Sequence, residues 1–312
     1  MKKLRVGVVG VGHIGTNHAR IYSELASTAD FTAIYDLDSG RANSIAKKYG
    51  GVAAKSLDEF AELVDAASIA TPTNAHHEIA LPLLERGKHL LVEKPIAENP
   101  QHATALAEMA AKNQLILQVG HVERFNPVVI AAREVATRPQ FFEIHRLAAF
   151  SPRSLDIDVV LDLMIHDLDI VLSLVVSPVK EVRAVGIPVL SRKADIANAR
   201  VEFEDGCVAN LTASRVSFER MRKLRFFQPH DYISIDYDTQ QGSMVSLRMG
   251  QVIHRKLEPT ENEPLRLELS AFIEATAQRR PPVVSGEDGL KALELGISIN
   301  DQIEGRSKRV WL

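Results

Sequence analysis

A single cysteine, Cys207, is all the thiol in this 312-residue chain. It excludes an intrachain disulfide and points to a reducing compartment. Excess charge is equally scarce: 37 Lys+Arg stand against 40 Asp+Glu, a formal net of −3. No overall basic field invites nucleic acid or an acidic membrane surface. Long apolar runs are missing as well. The opening MKKLRVGVVGVGHIG has a basic end followed by an apolar stretch, but glycines interrupt that stretch and His13 ends it, unlike a secretory signal. The longest apolar run elsewhere, around residues 170–176, is far too short to span a bilayer. There is no internal repeat and no low-complexity segment. The expectation is a cytoplasmic chain with neither nucleic acid nor membrane as partner.

What is present is ordinary globular composition, 46% hydrophobic with 17 Gly and 14 Pro, long enough for two domains. Over the first 120 residues short β-type runs (4–9, 31–35, 66–71, 89–93 and 115–119, with 52–54 weaker) alternate with helical patterns. Ser39 is placed to cap a helix stopping at Gly50. Ser56 with Glu59 forms a Ser-x-x-Glu capping box, and Asn99–Pro100 sets a cap and first helical position for a segment ending near Asn113. Strands alternating with helices predict a doubly wound parallel sheet with right-handed crossovers.

Beyond residue 120 the texture changes. Runs at 141–149, 182–188, 197–204, 207–215, 232–237 and 245–249 read as strands, with turns at Glu204-Asp205-Gly206 and Gln241-Gly242. Many alternate polar and apolar residues, as in a sheet with one solvated or partner-covered face. An apolar helix is predicted over 159–175 and a last one over 286–304. The reading is α/β: a Rossmann domain over 1–120, then an α+β domain over 121–312 with a largely antiparallel open sheet. The final helix is free to pack back on the first domain. A half-covered sheet suggests a homodimer or homotetramer through that face, since a large exposed apolar face is otherwise a liability.

Gly10-Val11-Gly12-His13-Ile14-Gly15 follows a strand and opens a helix. Gly10 permits a tight turn, Gly12 lets the backbone approach a pyrophosphate, and Gly15 allows close helix–strand packing. The pyrophosphate belongs on the helix N-terminus, beside His13 and Ile14, where free N–H groups and the dipole favour negative charge. Asp36 ends the next strand, placed to accept from both ribose hydroxyls of NAD and to repel a 2′-phosphate; Arg41 is a candidate for the adenine end. The alternative is a glycine-rich turn of an unrelated α/β domain.

Three further segments lie at carboxyl ends of parallel strands, where doubly wound sheets bind ligands: Thr71-Pro72-Thr73-Asn74-x-His76, Glu93-Lys94-Pro95 and Gly120-x-x-x-Arg124-Phe125-Asn126-Pro127. With Asp162-x-x-x-His166 they resemble the glucose–fructose oxidoreductase/inositol dehydrogenase/rhizopine-catabolism (Gfo/Idh/MocA) family over essentially the whole chain. The resemblance implies that Lys94 lies near the nicotinamide ribose and the reacting hydroxyl. It implies that Thr71, Pro72, His76 and Glu93 border the cofactor, and that His166 is the proton acceptor with Asp162 beside it. At about 100° per residue, Asp162, His166 and Asp169 fall on one stripe roughly 60° wide of a largely apolar helix. Burying that stripe in apolar packing is costly, so it is expected to face a polar cavity; an ion pair between Asp162 and His166 explains the same pattern. A base of near-neutral pKa and a cation beside the developing alkoxide suit hydride removal from a secondary alcohol, and no metal is required.

The segments 120–127 and 161–169 look like the subgroup of that family containing UDP-N-acetylglucosamine 3-dehydrogenases, whose 3-keto product an aminotransferase takes toward the diamino sugar of some lipid A. Asp162 is followed by Leu-Met rather than the commoner glycine-containing turn. The resemblance implies a nucleotide-sugar substrate, for which Arg124 and Arg153 are candidate diphosphate ligands and Asn126, Asp162 and His166 candidate sugar ligands. Three rivals stay open: an inositol or free-sugar dehydrogenase, a non-catalytic NAD or sugar sensor, and a metal hydrolase built on the Asp162/His166/Asp169 stripe.

Overall fold

The computed structural model describes residues 3–150 and 157–310, with side chains to residue 305. The chain forms two compact units: residues 1–122 with 263–290, and residues 123–262 with 291–312. A single cut near residue 120 therefore misses the return of the segment 263–290 to the first unit.

In the first unit β1 (Leu4–Val9), α1 (His13–Glu24), β2 (Ala29–Tyr35), α2 (Ser39–Tyr49), β3 (Val52–Ala53), α3 (Leu57–Leu63), β4 (Ala66–Ile69), α4 (His76–Glu85), β5 (His89–Glu93), α5 (Pro100–Lys112) and β6 (Leu117–Gly120) alternate. The six strands run parallel in the order β3-β2-β1-β4-β5-β6. This doubly wound order reverses beside β1, and the crevice at such a switch point is where α/β sheets bind ligands. Most residues of β1, β4, β5 and β6 are buried and apolar, as in a parallel sheet covered by helices on both faces. The caps show how local chemistry sets the boundaries. Asp38, one residue earlier than Ser39, accepts the Arg41 N–H at 3.0 Å, and Gly50 ends α2 at φ +92°. Ser56 accepts from Glu59 N at 3.1 Å, while the Glu59 carboxylate takes the N–H of Lys55 rather than that of Ser56. Asn99 accepts the His102 N–H at 2.8 Å. A helix the sequence reading passed over, α8 (Pro264–Gln278), buries Leu269, Phe272 and Ile273 in the core of this unit.

The second unit contains α6 (Pro127–Val135), β7 (Phe141–Leu147), a π-helical stretch Val160–Met164 running into α7 (Ile165–Leu174), β8 (Val179–Ile187), β9 (Ile196–Phe203), β10 (Val208–Ser214), β11 (Met221–Gln228), β12 (Asp231–Asp236), β13 (Gln241–Arg248) and β14 (Gln251–Leu257). The last helix, α9 (Gly286–Val310), contributes its residues from Lys291 onward. The eight strands run β14-β13-β12-β11-β7-β10-β9-β8, antiparallel except for the β7–β10 pair. One face carries Phe142, Ile144, Leu211, Leu224, Phe226 and Ile233, which pack with Leu168, Val171, Ile299 and Ile303 in a single core. Gln241-Gly242, read as a turn, begins β13; the turn is 237–240, with Gln240 at φ +51°. The strands β11 and β14 carry no clear strand signal in the sequence, because charged residues interrupt their alternation and β14 is an exposed edge.

Candidate active site

The glycine-rich turn has the geometry the sequence demands. Gly10 stands at φ +81°, which favours glycine, and its N–H donates to Tyr35 O at 2.8 Å. A Cβ on Gly15 would lie 1.8 Å from Gly10 O, so only glycine permits this approach of helix to strand. Gly12 differs: a Cβ there would meet nothing within 4 Å. The space a ligand's diphosphate would use is open, and α1 begins with no side-chain cap and no acidic residue in its first turn. His13 and Ile14 are exposed on that turn. Asp36 Oδ2 accepts the Val11 N–H at 2.8 Å, and Oδ1 accepts that of Asp38 at 2.8 Å. Its carboxylate is thus fixed against the turn, and the half-exposed Arg41 stands 3.7 Å away. These features fit a dinucleotide such as NAD.

The loops after β4 and β5 are joined by His76. Its Nε2 lies 2.9 Å from Thr71 O and its Nδ1 2.9 Å from Pro95 O. The ring is 1% exposed, and burial lowers its pKa against the pull of those two carbonyls. A neutral imidazole carries one N–H and donates to one of these two carbonyls, but both ring nitrogens are turned to backbone. Buried there, His76 joins the two loops and presents neither nitrogen to a cofactor, which corrects its expected role. Thr71 is partly buried, and its methyl stands 2.7 Å from where a Gly10 Cβ would be. Pro72 is exposed. Lys94, half-buried, sits between two anchored neighbours: Pro95, gripped by His76, and Glu93, whose Oε1 lies 3.1 Å from His18 Nε2. Glu93 also occupies the space above Gly120, 2.8 Å from where a Cβ would be. Its carboxylate is therefore turned inward, into a cluster with His18 and Glu268 whose ligand atoms lie within 4.8 Å of one another.

In the second unit the stripe on the 159–175 helix is broken. Asp162 and His166 are half-buried. Asp169 is 1% exposed, its two oxygens held by Arg124 Nε at 2.7 Å and Nη2 at 3.0 Å. The 100° spacing assumed from sequence fails where Val160–Met164 is π-helical and Ile165 N–H bonds Val160 O five residues back. Arg124 is therefore not a solvent-facing diphosphate ligand, and with Asp169 consumed, the stripe offers no three-ligand metal set. Asn126 is 3% exposed: its Oδ1 accepts the Val128 N–H, and its Nδ2 donates to Glu123 and to Tyr237 O, both at 3.1 Å. It caps α6 rather than facing a sugar. Arg153 lies outside the described residues.

The residues missed are the buried partners. Arg146 grips Asp167 through two bonds of 2.8 and 2.9 Å and Glu123 through one of 2.9 Å, with its guanidinium 5.0 Å from the centre of the Tyr237 ring. Burial opposes the Arg146 charge, and Asp167 and Glu123 overcome it, raising its pKa. Burial, then Asp167, raises that of Tyr237. His18, a single histidine on the face of α1, carries no sequence pattern of its own.

Among known proteins, the model of the oxidoreductase family with an NAD-binding Rossmann fold, Gfo/Idh/MocA, matches residues 4–121, and that of the Gfo/Idh/MocA C-terminal domain matches residues 141–235. The UDP-N-acetylglucosamine 3-dehydrogenase of Acidithiobacillus ferrooxidans is 35% identical over 99% of this chain and 100% of its own length. Its solved structure matches with a TM-score of 0.92 over 98% of this chain and 99% of that one. The myo-inositol 2-dehydrogenase of Thermotoga maritima is 27% identical over 96% of each. A levoglucosan dehydrogenase solved with NADH and levoglucosan has a TM-score of 0.88 at 18% identity, a likeness of fold.

Proposed function

Because the chain belongs to the Gfo/Idh/MocA family of NAD-binding oxidoreductases, we propose that it oxidises carbon 3 of UDP-N-acetylglucosamine to the 3-keto sugar. The observation that carries this reading is the 35% identity to an enzyme of that name over its whole length, against 27% for an inositol dehydrogenase. Bound NAD supplies the hydride acceptor. The uncapped start of α1 receives its diphosphate and Asp36 its adenosine ribose. His166 takes the proton from the reacting hydroxyl, with Asp162 beside it, and Lys94 stabilises the oxygen as negative charge develops. The first unit holds the dinucleotide and the second the sugar.

The open face of the large sheet supports a homo-oligomer. Register aligns Val208, Phe141, Phe227, Tyr232 and Val245 in one row across five strands, with ring centres 5.6 Å apart for Phe141–Phe227 and 4.9 Å for Phe227–Tyr232. Beside it runs a polar row, Asn210, Glu143, Arg225, Ser234 and Ser243. Apolar rows flanked by mixed charge suit a second copy meeting the same face about a twofold axis. The setting is the cytoplasm, where the ketone passes to an aminotransferase of lipid A diamino-sugar synthesis.

The test is NADH formation with UDP-N-acetylglucosamine, free N-acetylglucosamine and myo-inositol, with an aminotransferase to trap the ketone. Turnover of the UDP-sugar alone supports the reading; rapid turnover of inositol with none of the UDP-sugar selects the inositol alternative.

A further inference from the structure

Asp167 and Asp169 follow His166 on α7, and each is held by a planar guanidinium through two parallel bonds. Arg146, from β7, places Nε 2.8 Å from Asp167 Oδ2 and Nη2 2.9 Å from Oδ1. Arg124, from the turn Val122–Phe125, holds Asp169 in the same way. At about 100° per residue, the two carboxylates leave the helix roughly 160° apart, and His166 projects from the arc between them. The forks therefore grip the helix from two sides with the imidazole in the gap.

Stability alone is a poor account of this arrangement. Taking charges out of water costs about as much as their pairing returns, so apolar residues of similar size often serve a fold equally well. What a two-point fork adds is direction, because it fixes the carboxylate plane and not only its distance. Direction is needed here because the stretch leading into α7 is π-helical, so the regular α-helical ladder does not set the rotation of His166 from the N-terminal side. We propose that Arg124 and Arg146 are positioning residues that fix the rotation of α7 about its axis and thereby aim the His166 imidazole. The inference rests on the reading of His166 as proton acceptor, and it assigns Arg124 to the enzyme's own helix rather than to the substrate's phosphates.

The experiment compares three variants of the full chain, Arg124→Met/Asp169→Leu, Arg124→Lys and His166→Asn, by thermal melting and by kcat and KM for NAD and UDP-N-acetylglucosamine. The double variant leaves no unpaired charge and should melt close to the parent. Its kcat should fall about 10–100-fold, the scale of a misaimed group, with both KM values within about twofold of the parent. Arg124→Lys keeps the charge without the fork and should show a smaller loss in kcat. Parental kcat in the double variant, or a raised KM for the UDP-sugar at unchanged kcat, overturns the proposal. If the double variant does not fold, Arg124→Lys decides: parental kcat overturns the proposal, and lowered kcat at parental KM supports it. Near-parental turnover in His166→Asn overturns the base assignment separately, whatever the arginine variants do.

Discussion

Asp36 Oδ2 accepts the backbone N–H of Val11 at 2.8 Å, tying the end of β2 to the glycine-rich turn. On the proposed assignment of Asp36 to the adenosine ribose, this fixed negative charge favours NAD over a cofactor with a 2′-phosphate. Asp36→Ser removes a charged acceptor and the tie together. Losing a hydrogen bond to a charged group costs about 1.5–3 kcal/mol, so NADH should bind about 10–100-fold more weakly. Preference over NADPH should narrow, as read by fluorescence titration of both nucleotides. Tighter binding of NADPH by the unaltered protein would reverse the role of Asp36.

Gly12 and Gly15 should separate cofactor binding from folding. Nothing lies within 4 Å of a Cβ on Gly12, and its φ of −67° suits any residue. Gly12→Ala should leave stability within about 1 kcal/mol, since N-cap preferences alone are of that order, while weakening NAD binding. Gly15→Ala drives a Cβ into Gly10 O and should lose both. Melting curves with and without NAD distinguish the two; equal NAD affinity in Gly12→Ala and the parent would refute the assigned approach of the diphosphate.

His166→Asn should keep NAD binding and lower kcat by about 10²–10⁴-fold, the usual scale for a general acid–base group. Lys94→Ala should cost about 10²–10³-fold through loss of the cation beside the alkoxide. Steady-state rates with UDP-N-acetylglucosamine, beside NADH titrations, measure both, and near-normal turnover in either removes that residue from the mechanism.

His76 should make stability depend on pH. Burial holds its folded-state pKa below the ordinary 6.5, so below that pH the unfolded chain binds the proton more readily. Stability should be unaffected by this group above about pH 6.5 and should fall as pH drops below it. His77 and His89 are shifted in the same direction, so His76→Asn should make the loss shallower without abolishing it. Melting temperatures of the nucleotide-free protein over this range check the sign; an unchanged slope would mean the ring is not held neutral.

Arg146→Ala strips Asp167 and Glu123 of their shared partner inside the second unit. An uncompensated buried charge costs about 3–5 kcal/mol. Urea unfolding should show the midpoint falling by a corresponding amount at unchanged slope; a loss under about 1 kcal/mol, the scale of an exposed pair, would show that the network is hydrated.

The sequence by itself determined the local features: the strand–helix alternation of the first unit, the glycine positions of the dinucleotide turn, Asp36 at the end of β2, the Asn99 cap and most strands of the second sheet. Each is set by neighbours close along the chain, through backbone conformation, capping or alternation, and such signals survive in one dimension. Even α8 had its signal, Pro264 with apolar residues at helical spacing. Only the tertiary structure decided what the charged residues do. Arg124 and Asp169 are 45 residues apart and Arg146 and Asp167 are 21 apart; nothing in either pair's spacing says that they meet. Taken singly, an arginine after an apolar run reads as a solvent-facing anion ligand and an aspartate on a helix stripe as a cavity wall. Once packing removes water from both, neither charge can remain buried without the other, and their pairing is a property of the fold.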